Sequence, residues 1–228
     1  MVFQLENVVP WGRSLNDYQG MFNLTTTELG LNLLDCGGGP ASFNAEMTAQ
    51  GYRVTSCDPV YQFTAAQINN RIQATYQPIV DGVAAHPERF VWQHYQSPTQ
   101  MAESRLAAMQ QFLLDFPQGL QAGRYVVAEL PHLPFAEAQF ELALCSHLLF
   151  TYGNILSLEF HQQAVAELCR VARQVRIFPL VEQFSGQPSP HLPLVLQHLH
   201  QWGYETEIIA VAYEFQRGGN QMLQIRTV

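Results

Sequence analysis

The sequence contains no lysine, because all 11 of its basic residues are arginines. Chemistry that needs a lysine ammonium is therefore excluded: a P-loop phosphate site, a Schiff base and a Ser–Lys dyad. The 19 acidic residues give a formal net charge of −8 at pH 7. Because nucleic-acid binding normally requires a basic face, this balance argues against a nucleic-acid partner and favours a small molecule.

Cysteine is also scarce, and Cys36, Cys57, Cys145 and Cys169 form no CxxC pair. A chain of this length does not need disulfides, so we expect reduced packing thiols and no metal site. No segment approaches the roughly 18 consecutive apolar residues of a membrane span. Residues 1–6 lack the basic and apolar regions of a secretory signal. These absences predict a soluble, cytoplasmic protein that does not bind a membrane.

A strand, a glycine turn, a helix and a second strand follow one another between residues 31 and 58. Residues 31–35 form a short apolar run that ends at glycines, as in a buried parallel strand. Residues 41–50 are predicted as a helix that Gly51 ends, and residues 53–58 as a β-branched strand. The segment therefore predicts a βαβ unit.

The alternation of strand and helix resumes after Gly123. Strands are predicted at residues 125–128, 140–145 and 175–178, and helices at residues 157–172 and 192–202. Residues 205–213 and 221–228 alternate as two strands with no helix between them, so they should pair antiparallel. We therefore predict a single α/β domain over residues 1–228, with a Rossmann-like, doubly wound, seven-stranded, mostly parallel sheet and an antiparallel C-terminal hairpin.

The interval between the second and third strands is too long for one helix. Thr64 and Ser97 each precede a glutamine by three residues, as helix N-caps do. The two helices they open are predicted to run to about residues 85 and 116. Residues 61–119 are thus predicted as a helical insertion. It either covers the substrate cavity or stabilises the domain, for example as a homodimer interface.

The glycine turn at residues 37–39 is by itself ambiguous, because nicotinamide, flavin and other nucleotide cofactors all use such turns. Asp35 lies directly before the turn, where a dinucleotide site places its first glycine. Ser42 stands at the sixth position of the dinucleotide fingerprint instead of Gly or Ala. Both residues argue against a nicotinamide cofactor.

Several motifs in order resemble the class I S-adenosylmethionine-dependent methyltransferase family. Residues 33–39 match its first motif, and Asp58 matches the acid that binds the ribose hydroxyls. Glu129 lies where an acid often meets the adenine, and residues 140–147 resemble the fourth-strand motif. The sequence departs from the family at Ala41, where a third glycine is usual, and in the length of the insertion.

The resemblance implies S-adenosylmethionine as the cofactor and a methyl group passed to a small-molecule acceptor by in-line displacement. It assigns to the cofactor the residues Asp35, Cys36, Gly37, Gly39, Asp58, Pro59, Glu129, Leu130 and Cys145. The fourth strand ends without the Asn/Asp-Pro-Pro-aromatic motif of enzymes that methylate amino groups of DNA bases or glutamine. A non-catalytic S-adenosylmethionine-binding protein and an NAD-dependent oxidoreductase are the alternatives.

Candidate residues for the acceptor side come from two regions. His147 follows the fourth strand and is a candidate general base, or else it packs on the cofactor; His161 and Glu182 are weaker candidates. Residues 1–30 are predicted as an N-terminal lid or helix, or as a helix that only packs on the domain. Arg13 would meet the cofactor carboxylate through its guanidinium. Aromatic candidates for substrate contact are Tyr18, Phe150 and Tyr152.

Overall fold

The computed structural model describes Val9 and residues 11–226. Three predictions therefore fall wholly or partly outside the described residues. They concern the start of the N-terminal lid, the absence of a secretory signal at residues 1–6 and the last two residues of the final strand. Helix α1 is Leu15–Phe22 and lies within the predicted N-terminal segment. Ser14 and Asp17 form a reciprocal capping box at its start, which satisfies two backbone N–H groups that the first turn leaves free.

Within the described residues, seven strands form one sheet in the order β3-β2-β1-β4-β5-β7-β6. The five neighbouring strands β3, β2, β1, β4 and β5 are parallel to one another, and β7 is antiparallel to both β5 and β6. The predicted fold is therefore confirmed. The strands are β1 Leu33–Cys36, β2 Val54–Cys57, β3 Tyr125–Val126, β4 Leu142–Ser146, β5 Gln174–Phe178, β6 Glu205–Ala210 and β7 Gln221–Arg226.

The two faces of the sheet bury separate hydrophobic clusters, because successive side chains on a strand point to opposite faces. Leu33 packs with α1 and α3 on one face, whereas Leu34 packs with α6 and α7 on the other. No helix among the described residues is both long and apolar enough to cross a membrane. The remaining helices are α2 Thr26–Leu29, α3 Phe43–Ala49, α4 Ala65–Ala85, α5 Pro98–Gln121, α6 Leu158–Val171 and α7 Leu192–Gln201.

The predicted helical insertion consists mainly of α4 and α5, and both helices contain an internal proline. The prediction that the second helix ends at about residue 116 is wrong, because α5 continues through Pro117 to Gln121. Tertiary packing explains the continuation. Phe116 is buried against Tyr125, and a Cβ at Gly119 would lie 2.3 Å from the same ring. The packing of this last turn outweighs the lost backbone hydrogen bond.

Several predicted strand bounds were also wrong. Strand β3 contains only two residues, because the chain leaves the sheet after Val126 and residues 128–130 line a cavity. Strand β4 begins at Leu142 instead of residue 140, and β6 ends at Ala210 instead of residue 213. The residues that were predicted as strand but lie outside the observed strands belong to the segments that connect the sheet to the neighbouring elements.

A buried guanidinium joins three distant parts of the chain. Arg105 of α5 is only 1% exposed. It donates to the Asp17 carboxylate of α1 at 2.6 Å and to the Tyr213 hydroxyl, beyond β6, at 2.7 Å. Burial by itself would raise the pKa of Asp17, but Arg105 and the hydrogen bonds from Ser14 hold that pKa below its ordinary value. The pair is therefore ionised and holds α5 against the N-terminal helix.

The insertion is also bonded to the loop between β6 and β7. The Val91 N–H donates to the Phe215 carbonyl at 2.7 Å, and the Arg217 N–H donates to the Arg89 carbonyl at 2.8 Å. The rings of Phe90 and Phe215 stack with centroids 4.9 Å apart. The insertion is thus part of the domain wall, packed on the C-terminal hairpin.

We predict that Asp17→Asn lowers the free energy of unfolding by about 3 kcal/mol, because it leaves the buried Arg105 charge without a counter-ion. Urea unfolding followed by circular dichroism measures the change. Glu88→Gln is the matched control, since Glu88 pairs with Arg89 at 3.8 Å and its side chain is 68% exposed. The control should change stability by less than about 1 kcal/mol. Equal losses in both variants would contradict the role given to Arg105.

Candidate functional site

A cavity of about 520 Å³ opens at the carboxyl ends of the parallel strands. Strand β1 pairs with β2 on one side and β4 on the other, so the connections after β1 and after β3 lead in opposite directions along the sheet. Ligands of open α/β sheets bind at such a switch point. The volume lies within the range of cavities that hold a cofactor or a drug-sized ligand.

The glycine turn after β1 forms one wall of this cavity. Gly37 and Gly39 have positive φ values of 71° and 53°, which a residue without Cβ adopts at least cost. A Cβ at Gly38 would lie 2.2 Å from the Asp35 carboxylate. The turn therefore requires glycine for its conformation and for the close approach of the acid beneath it.

Asp35 lies under the turn and does not line the cavity. Its carboxylate accepts hydrogen bonds from the Tyr18 hydroxyl at 2.8 Å and the Ser56 hydroxyl at 2.8 Å. Burial raises the pKa of Asp35 to about 6, although both hydrogen bonds oppose the rise. In this structure the predicted cofactor residue supports the turn and fixes Tyr18 at the cavity wall.

Asp58 follows β2 and lines the cavity beside the turn. Its carboxylate accepts from the Gly39 N–H at 3.0 Å and the Val60 N–H at 2.8 Å. Burial raises the pKa of Asp58 to about 6; the two backbone hydrogen bonds oppose this, and the charge of Glu129 adds to it. Glu129, Pro59 and Leu130 line the same region. The structure thus brings together the residues predicted for the ribose and adenine.

Three cysteines lie side by side across the sheet beneath this site. Cys36 is in register with Cys57 on one side and Cys145 on the other. Only Cys36 among them lines the cavity. A contact with the Cys57 thiol and burial raise the pKa of Cys36, and burial raises the pKa of Cys145 to about 12. Thiols held in this protonated state are packing groups.

His147 lines the cavity directly after β4. It has a positive φ of 53°, an uncommon conformation that is found preferentially at functional sites. Its Nδ1 lies 2.9 Å from the Ser146 hydroxyl oxygen. Burial lowers the pKa of His147 well below its ordinary value, and the charges of Arg13 and Arg105 lower it further. The imidazole is therefore neutral at physiological pH, and the two neighbouring guanidiniums disfavour its protonation.

Arg13 also lines the cavity. One terminal nitrogen donates to the Trp11 carbonyl at 3.0 Å, but the buried Nε has no hydrogen-bond partner among the described residues. Burial and the neighbouring Arg105 charge lower the pKa of Arg13. A buried guanidinium without a paired carboxylate is poorly stabilised. An anionic group bound in the cavity would satisfy it.

The three aromatic residues predicted for substrate contact lie in different places. Tyr18 and Tyr152 line the cavity, and the Tyr152 hydroxyl accepts from the Val9 N–H at 3.3 Å. Phe150 is fully buried and does not line the cavity. Its backbone N–H donates to the His161 Nε2 at 3.0 Å. The assignment of Phe150 to substrate contact is therefore corrected to a packing role.

The two weaker acid–base candidates do not face the cavity either. His161 is fully buried, and its Nδ1 lies 2.8 Å from the Ser157 carbonyl. Because its Nε2 accepts from a backbone N–H, the ring is a neutral structural group. Glu182 is absent from the lining. Among the residues that the structure describes, no group of three or more His, Cys, Asp or Glu is arranged to hold a metal ion.

Sequence patterns missed much of the opposite wall. It receives side chains from both insertion helices, the segment after β5 and the loop between β6 and β7. Thr151, which is only 5% exposed, also lines the cavity, and within the described part of the chain its hydroxyl has no hydrogen-bond partner. The sequence Phe90-Val91-Trp92, an aromatic patch within the insertion, was the available signal. The lining residues missed include Phe90, Met101, Arg105, Phe184 and Phe215.

Comparison with solved structures identifies the fold. The methyltransferase domain of bacterial-CtHen1-CN superposes with a TM-score of 0.51 at 12% identity. The match covers 93% of this chain and 100% of that domain. A SAM-dependent methyltransferase from Aquifex aeolicus gives a TM-score of 0.41 at 14% identity, over 86% of this chain and 80% of that chain. The first of these likenesses and the strand order confirm the class I methyltransferase fold.

A closer relationship exists at the level of sequence. The chain is 30% identical over 227 residues to the uncharacterized protein MJ0045 of Methanocaldococcus jannaschii, and the match covers 97% of each chain. It therefore belongs to the same family as that archaeal protein. No protein-family model matches the chain.

The raised pKa of Asp58 predicts a pH-dependent stability. Because the folded-state pKa is above the ordinary value, the stabilising contribution is complete below about pH 4 and is lost as the pH rises through about 6. The free energy of unfolding of the wild type, relative to Asp58→Asn, should fall by about 2 kcal/mol over that interval. Urea unfolding at a series of pH values measures it. Parallel pH profiles for the two proteins would contradict the assignment.

Proposed function

We propose that the protein is an S-adenosylmethionine-dependent methyltransferase acting on a small-molecule acceptor. The observation that carries this proposal is the chemistry of the glycine turn. Its N–H groups already have acceptors: Gly37 donates to the Cys57 carbonyl at 2.8 Å, and Gly39 donates to Asp58 at 3.0 Å. A pyrophosphate needs free N–H groups at this position.

The start of α3 supports the same distinction. The Glu46 carboxylate accepts from the Ser42 hydroxyl and from the Leu15 N–H, so it already interacts with groups at this helix end. The Glu46 carboxylate in the first turn of this helix would repel the negative charges of a pyrophosphate, whereas Asp58 fits either cofactor because dinucleotide sites also place an acid there for the ribose. A nucleoside that carries an amino acid instead of phosphates avoids this repulsion. The geometry therefore favours S-adenosylmethionine over NAD.

The lining offers a partner for each part of such a cofactor. Asp58 can accept hydrogen bonds from both hydroxyls of a ribose cis-diol, and Glu129 can accept from the adenine amino group. Arg13 supplies an unpaired guanidinium for the amino-acid carboxylate. When bound, S-adenosylmethionine supplies an electrophilic methyl group on a positively charged sulfur. The family resemblance and the site geometry thus agree on the ligand.

The chain contributes to the reaction mainly through positioning and exclusion of water. Alignment of donor and acceptor accounts for a large share of the acceleration in such displacements. Tyr18, fixed by Asp35 and stacked on Phe43 at 4.1 Å, presents a rigid aromatic surface. The neutral His147 can accept a hydrogen bond from the acceptor and orient it toward the methyl group. The cavity extends beyond the cofactor residues, which favours an enzyme over a protein that binds the cofactor alone.

Calorimetric titration of Asp58→Ala with S-adenosylhomocysteine tests the proposal. We expect affinity to fall by roughly 1.5–3 kcal/mol because a charge-assisted hydrogen bond to the ribose is lost. Asp81→Ala is the control, since Asp81 is an exposed acid on α4 bonded only to Gln77 among the residues described. Unchanged affinity in Asp58→Ala would remove this residue from the site.

The enzymatic part of the proposal is tested separately. Incubation of the protein with S-adenosylmethionine and a pool of small metabolites should yield S-adenosylhomocysteine. The rate should exceed the rates without the protein and without the metabolite pool. Mass spectrometry of the pool then identifies the methylated product. Binding of S-adenosylmethionine without turnover on any metabolite pool would favour the non-catalytic alternative. Binding of NADH but not of S-adenosylmethionine would overturn both the methyltransferase and the non-catalytic interpretation.

A further inference from the structure

Six apolar side chains from helices and loops outside the parallel sheet form one wall of the cavity. We call this wall the aromatic chamber. It comes from α4, the segment between α4 and α5, α5, the segment after β5 and the loop between β6 and β7. Its members are Ile79, Val83, Phe90, Met101, Phe184 and Phe215, which line the cavity and pack in one hydrophobic cluster.

The rings of the aromatic chamber are held in fixed positions. Phe90 stacks on Phe215 at 4.9 Å and meets Phe184 edge-on at 6.4 Å. The Phe184 backbone has a positive φ of 58°, which is uncommon for an aromatic residue. Its N–H donates to the Gln216 side chain at 3.2 Å. Backbone strain of this kind persists where the surrounding structure enforces it, typically at ligand sites.

The charges of the lining favour one class of ligand. Among the described lining residues, the only acids are Asp58 and Glu129, and both follow strands at the glycine-turn end. The other charged lining residues are the guanidiniums of Arg13, Arg71 and Arg105. Among the described residues, therefore, no carboxylate lines the aromatic chamber to stabilise an ammonium. Burial of an unpaired cation there would be costly.

We propose that the aromatic chamber binds the methyl acceptor, and that the acceptor is a planar aromatic molecule without a positive charge. Flat rings fill such a space well, because edge-on and offset contacts with Phe90, Phe184 and Phe215 add to the burial of apolar area. This inference rests on the proposed methyltransferase function, since it names the acceptor class for that site.

Three probes of similar size test the proposal: 2-naphthol, its saturated analogue decahydro-2-naphthol and the cationic 2-naphthylmethylammonium. Their binding is measured by calorimetry on the full chain, with and without S-adenosylhomocysteine. We expect 2-naphthol to bind about tenfold more tightly than either other probe. Equal affinities for the three probes, or no binding of any probe, would overturn the proposal.

A pair of phenylalanine variants locates the probe. Phe215→Ala should weaken 2-naphthol binding at least tenfold and leave S-adenosylhomocysteine affinity within twofold. Phe63→Ala is the matched control, because Phe63 lines the cavity five residues beyond Asp58 in the chain sequence and lies outside the aromatic chamber. It should leave 2-naphthol binding unchanged. The reverse pattern would place the probe in the cofactor site and overturn the proposal.

A size-conserving variant guards against misfolding. Phe215→Leu should reduce the preference for 2-naphthol over its saturated analogue while the thermal unfolding temperature stays close to that of the wild type. An unchanged preference in this variant would contradict the role of the ring. If S-adenosylhomocysteine does not bind but 2-naphthol affinity still depends on Phe215, the proposed methyltransferase function is wrong. The ligand class proposed for the aromatic chamber is then still supported.

Discussion

The shape of the cavity depends on one buried interaction, the contact of the Arg105 guanidinium with Asp17 and the Tyr213 hydroxyl. These groups come from the insertion, the N-terminal helix and the end of the chain, which are far apart in sequence. A guanidinium that is only 1% exposed is stable only if its partners stay in place. The N-terminal helix in turn carries Tyr18, which bonds to Asp35 under the glycine turn. Arg105 thus links the outer wall of the cavity to the turn.

The two ends of the cavity differ in chemistry because they are built by different parts of the fold. At the glycine turn, strand ends place Asp58 and Glu129 beside backbone groups that already have hydrogen-bond partners. In the aromatic chamber, helices and loops contribute aromatic and aliphatic side chains, and no acid of the described residues lines it. His147 lies after β4, where strand β4 ends at the same edge of the sheet as β1 and β2. A polar nucleoside ligand and an apolar second ligand therefore suit one continuous cavity.

The sequence predicted the sheet and the polar end of the site, because both depend on local patterns. Apolar runs that end at Gly37 or Asp58 determine where strands stop, and the helix bounds of α1 follow from a local capping box. The outer wall could not be predicted in the same way. Arg105 is an arginine in a helix and resembles a surface residue until its partners, 88 and 108 positions away, are known. The continuation of α5 through Pro117 likewise depends on contacts with a distant strand.

One cavity should hold an S-adenosylmethionine-type cofactor at the glycine turn and leave the aromatic chamber open for an acceptor. A crystal structure of the protein with S-adenosylhomocysteine would show whether it does. We expect the ribose hydroxyls to contact Asp58, the carboxylate to contact Arg13 and the sulfur to face His147, with no contact between the ligand and Phe184 or Phe215. Adenine bound among the rings of the aromatic chamber, or a ribose without a contact to Asp58, would contradict it.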